Sequence, residues 1–128
     1  MSARFITAAV TASLLLPGAA LATQTSLELT ITTQSGEFEQ RVVRYDCATE
    51  AFTRVVYLNA APNFLAIVPL ADEPEPMVMA AVISGSGARY AAGKWVWWTK
   101  GAEAALYDAT MPEDAEPVLT CTEVNDIP

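Results

Sequence analysis

Ser84-Gly85-Ser86-Gly87-Ala88-Arg89-Tyr90-Ala91-Ala92-Gly93-Lys94-Trp95-Val96-Trp97-Trp98-Thr99-Lys100-Gly101 is the stretch on which the reading of this chain turns. Ser84–Gly87 is too polar and too rich in glycine for a strand interior, so it reads as a turn that holds the Ser86 side chain clear of bulky neighbours. A short strand over residues 88–91 follows, then a second turn at Ala92-Gly93. An aromatic strand runs over residues 94–99. In it Trp95 and Trp97 share one face, and Val96 and Trp98 share the other. At least one tryptophan is therefore expected outside the core. Lys100 ends the segment just before Gly101, as a mobile point charge with three donors. A hydroxyl and an ammonium on neighbouring turns suit entry into a carboxylate-lined cleft. That points to an inhibitor or a binding module.

The same grammar extends in both directions. Leu27, Leu29 and Ile31 alternate with Glu28, Thr30 and Thr32, so residues 26–33 are expected to form a half-buried strand. Further strands are predicted over residues 37–45, 53–58, 63–68, 77–83, 102–107 and 118–124. The segment 77–83 is almost continuously apolar, and Met77 and Met79 are expected to fill core gaps. Prolines exclude Asp72-Glu73-Pro74-Glu75-Pro76 from a central strand. About eight strands, short loops and no long helix predict an all-β fold. A closed or nearly closed antiparallel barrel is favoured because closure removes exposed edges, with a two-sheet sandwich as the alternative.

Arg4, an apolar run from Phe5 to Leu16, Pro17-Gly18 and Ala20-Leu21-Ala22 read as a signal peptide over residues 1–22. Residues 23–128 then form one domain. The full chain has a formal charge of −8, and removal of the leader takes away only Arg4. Such an acidic chain lacks the basic footprint of a nucleic-acid binder, and no later segment is long enough for membrane insertion. A cationic protein is the complementary partner. Cys47 and Cys121 are the two cysteines of an exported chain, so a disulfide is expected. With no histidine in the chain, two cysteines make no metal site, and no cofactor motif is present.

An enzyme reading would need Ser86 as nucleophile and Lys100 as base, but the sequence supplies neither an adjacent base nor an oxyanion hole. Arg89 is expected to pair with a carboxylate and brace the glycine turn. Tyr90 is expected to cap the core with its ring.

Five ordered motifs carry a family resemblance. They are Tyr45-Asp46-Cys47, Val56-Tyr57-Leu58-Asn59, Ser84-x-Ser86-Gly87-Ala88-Arg89-Tyr90 (with Gly85 where alanine is usual), Trp98-Thr99-Lys100-Gly101-Ala102-Glu103-Ala104, and Cys121. The chain resembles the MliC-like family, bacterial inhibitors of c-type lysozyme. The resemblance implies an eight-stranded antiparallel barrel with a Cys47–Cys121 bridge. It implies that loops around Ser86 and Lys100 enter the lysozyme cleft and engage its catalytic glutamate and aspartate. Gly87, Arg89, Tyr90, Trp98, Thr99 and Gly101 would support those loops. Many family members are lipoproteins, whereas this chain has no lipobox cysteine, so a soluble periplasmic form is expected, with secretion as a variant. The competing function is a periplasmic carbohydrate- or small-ligand-binding module that uses the tryptophans. The sequence leaves the oligomeric state open.

Overall fold

The computed structural model describes residues 12, 14, 18, 26–49 and 52–124. The expected signal peptide therefore lies almost wholly outside the described residues. Eight strands follow in order: β1 (Glu39–Cys47), β2 (Thr53–Ala60), β3 (Asn63–Val68), β4 (Met77–Val82), β5 (Ala88–Ala92), β6 (Trp95–Lys100), β7 (Glu103–Asp108) and β8 (Leu119–Glu123). Each pairs antiparallel with the next, and β1 pairs with β8 to close the barrel. The sandwich alternative is thereby excluded.

Residues 26–33 are not a strand, contrary to the sequence expectation. Their alternation is real, but a closed barrel has no edge left for them to join. Leu27 and Leu29 stay exposed. The residue after this segment, Gln34, meets the barrel, where its amide donates to the Ala61 carbonyl, 3.2 Å away.

Period-two alternation sends one side of every strand inward. Val43, Val55, Val68, Met79, Trp97 and Leu106 are among the side chains that fill the interior, and Trp97 and Met79 are fully buried. The interior is thus a packed core, as the geometry of an eight-stranded barrel allows. Three of its polar groups form a chain. Trp97 Nε1 donates to the Tyr57 hydroxyl at 2.9 Å, and that hydroxyl lies 2.7 Å from the hydroxyl of Tyr45. Burial raises the pKa values of Tyr45, Tyr57 and Tyr90 above the ordinary tyrosine value.

The seam between β1 and β8 has a short register, Tyr45 to Cys47 against Cys121 to Glu123. The Cys47–Cys121 disulfide crosses it at directly opposed positions. Arg41 and Glu123, 3.1 Å apart, bridge the same seam on the surface. The outer face explains the unbroken apolar run of β4. Val42, Val56, Ile67 and Val78 lie side by side on four consecutive strands, so β4 carries apolar side chains on both faces. The proline-rich loop before β4 is also tied down, because Trp95 Nε1 donates to a Glu73 carboxylate oxygen at 2.8 Å.

Candidate functional site

The register of β5 on β6 sets the site. Ala88 pairs with Thr99 and Arg89 with Trp98, which places the Ser84–Gly87 turn beside the end of β6. Gly87 adopts φ +64°, a region open to glycine. A Cβ there would overlap the Thr99 carbonyl oxygen and lie 2.7 Å from Lys100 Cγ. Close approach and backbone sign both require glycine. The two motifs singled out in the sequence are therefore in direct contact.

Lys100 is the last residue of β6 and not part of the turn, as the sequence reading had it. It pairs with Glu103 across Gly101-Ala102, where Gly101 has φ +56°. The alternation that buries Trp95 and Trp97 turns Trp98 and Lys100 outward. Trp98 then meets both halves of the site. Its Nε1 donates to the Ser86 carbonyl at 2.9 Å, and its ring carries the Lys100 ammonium 3.9 Å from the centroid.

The Ser86 carbonyl also accepts from Ser84 Oγ at 2.6 Å. Two donors thus pin this turn through its backbone, and the Ser86 side chain remains exposed. Thr99 Oγ1 donates to the Ala88 carbonyl at 3.4 Å, a long bond that adds little.

Arg89 departs from expectation. Among the described residues it makes no ion pair; its guanidinium stands over Trp98, 3.8 Å from the ring centroid. Its Nε is buried without a hydrogen bond. Outward projection at the Trp98 register explains the choice, because the nearest large partner there is the indole. Tyr90 points into the barrel as expected, with its ring 5.6 Å from that of Tyr57.

Lys100 is exposed and, among the described residues, forms no ion pair. The site thus offers two kinds of donor, a hydroxyl and an ammonium. It is suited to binding anions. No group of metal-ligating side chains occurs among the described residues.

The barrel thus has a packed core and raises its donors at one end. The sequence model of the family described as membrane-bound lysozyme-inhibitor of c-type lysozyme matches residues 45–114. A Pseudomonas aeruginosa protein called membrane-bound lysozyme inhibitor of C-type lysozyme is 41% identical over 87 residues, 68% of each chain. A Cupriavidus necator protein of the same name is 39% identical over 79 residues, 62% of each chain. The crystal structure of P. aeruginosa MliC in complex with hen egg white lysozyme superposes with a TM-score of 0.63 at 37% identity. That match covers 80% of this chain and all of the other. The chain belongs to the MliC family of c-type lysozyme inhibitors. It is an inhibitor-class protein and not an enzyme.

Proposed function

We propose that this protein inhibits c-type lysozyme in the periplasm by placing the Ser86 turn and the Lys100 side chain in the enzyme's substrate cleft. The observation that carries the reading is the shared support of both groups by Trp98. One indole holds the Ser86 backbone and gives the Lys100 ammonium a resting place, so two short motifs act as one rigid projection. Family membership and the lysozyme complex of the P. aeruginosa relative support the choice of enzyme.

A c-type lysozyme works with two carboxyl groups, one donating a proton and one stabilising positive charge. Ser86 donates a hydrogen bond to one. Lys100 sets a cation against the other where water is excluded. Each group is then occupied, and the sugar cannot enter. The free energies favour this transfer of Lys100. Its contact with Trp98 is worth about 0.5–1 kcal/mol at an exposed site. A charge-assisted bond to a desolvated carboxylate exceeds that. Arg89 over the same ring adds like-charge repulsion that disfavours the resting position. The acidic chain also draws a cationic enzyme by its field.

A muramidase assay of the purified exported protein against c-type, g-type and i-type lysozymes tests the reading. Inhibition of the c-type enzyme is expected. Full c-type activity at saturating protein would refute it.

A further inference from the structure

Beside Lys100 a groove of about 540 Å³ runs over the outer surface of β6, β7, β8 and β1. Its origin is visible in the register. Trp98 pairs with Ala105, and Ala105 with Thr120, so one outward row begins with an indole and continues with small side chains. Trp98 becomes a wall and the small residues a floor. Tyr107 lengthens the wall, with its ring 6.1 Å from that of Trp98.

The next outward row runs Lys100, Glu103, Thr122, Asp46 across the same four strands. Glu103 and Asp46 are exposed and, among the described residues, engage no cation. They stand two strands apart, about 10 Å at the backbone by ordinary strand spacing. Their side chains can therefore converge on one cation above Thr122. Lys100, the cross-strand neighbour of Glu103, has its ammonium over the Trp98 ring.

We infer that this groove receives a basic side chain, an arginine by preference, from the rim of the enzyme whose cleft takes Lys100. The inference rests on the lysozyme reading above. A guanidinium has the fork of donors that two carboxylates can share, and its stem is apolar enough to cross Ala105 and Thr120 beside Tyr107. A neutral occupant would strip water from Glu103 and Asp46 and return no charge-assisted bond. The groove is continuous with the projection, since Lys100 and Trp98 line both. The contact is then reciprocal: the inhibitor's cation meets the enzyme's carboxylates, and the enzyme's cation meets the inhibitor's. Such crossed pairing fixes register better than one ion pair.

Titration calorimetry of the exported protein with a c-type lysozyme, at several salt concentrations, tests the groove. The double variant Glu103→Gln, Asp46→Asn is compared with Asp72→Asn, Glu75→Gln, which removes equal charge from the loop before β4. The groove variant is expected to bind tenfold or more weakly with a shallower salt dependence. The control is expected to stay within about twofold of the parent. Thermal melts of both variants should match the parent, because all four side chains are exposed. Equal affinities for the two double variants would overturn the groove while Lys100→Ala still abolished inhibition. A parent that does not bind lysozyme would overturn both readings. Quenching of tryptophan fluorescence by chitooligosaccharide alone, lost in the groove variant, would reassign the groove to sugar.

Discussion

The Trp98 indole donates to the Ser86 carbonyl at 2.9 Å while its ring lies under the Lys100 ammonium. One side chain thus couples a turn between β4 and β5 to the end of β6. Trp98→Phe keeps a ring for the cation and removes the donor. Inhibition should weaken by about 0.5–1.5 kcal/mol, the worth of one neutral hydrogen bond. Trp98→Ala removes both supports and should weaken it further, with the phenylalanine variant recovering part of the loss. Inhibition constants for the two variants check this. Equal losses would mean that the ring does not position Lys100.

Gly87 is the second constraint on the projection. Gly87→Ala demands φ +64° of an L residue and drives a methyl into the Thr99 carbonyl. A cost of about 1–3 kcal/mol in stability is expected, together with weaker inhibition as β6 is pushed away. Urea unfolding gives the first quantity. A variant as stable as the parent would show that the turn relaxes freely.

These two constraints mark the boundary of what the sequence carries. Alternation around Trp95–Trp98 is local, so the split of Trp95 and Trp97 from Trp98 was legible; which face turns inward is set by the barrel. The pairing of Cys47 with Cys121 was likewise legible, from their number and the expected export. The Trp98–Ser86 bond was not, because it depends on the register of Arg89 against Trp98 and on the path of a glycine turn. Charge alone points Arg89 to a carboxylate, and only that register brings it over the indole. Residues 26–33 failed for a different reason. Their pattern is that of a strand, and what excludes them is the closure of β1 on β8, a property of the whole barrel. The groove under Glu103 and Asp46 was invisible for the same reason, since its floor is assembled from separate strands.

Closure also sets the role of the disulfide. Cys47 and Cys121 are 74 residues apart and join the short β1–β8 seam. Replacing both with alanine should cost about 2–5 kcal/mol. Denaturant unfolding of the variant, compared with the oxidised parent, measures it. An unchanged midpoint would mean that the ladder alone secures the seam.

The buried tyrosines predict alkaline unfolding. Tyr45, Tyr57 and Tyr90 hold their protons above the ordinary value of 10.0, chiefly because burial disfavours the phenolate. Their folded-state pKa values are raised, so the stability they contribute is fully present below about pH 10, where the unfolded chain begins to ionise. It is lost as pH rises above that value. Unfolding free energy should be flat in this respect up to about pH 9 and fall beyond it. Absorbance of phenolate, followed alongside, should lag in the folded protein. Titration of every tyrosine at the ordinary midpoint with no loss of stability would contradict the packing of the core.

The central claim is that Lys100 and Ser86 act in the lysozyme cleft, with the lysine dominant. Inhibition constants of Lys100→Ala and Ser86→Ala against a c-type lysozyme, with thermal melts as the folding control, test it most directly. Loss of the cation leaves an enzyme carboxylate desolvated without its partner, so Lys100→Ala should cost about 2–5 kcal/mol of binding. Ser86→Ala should cost about 0.5–1.5 kcal/mol, and neither should shift the melt, because both side chains are exposed. A Lys100→Ala protein that folds and inhibits as well as the parent would contradict the claim.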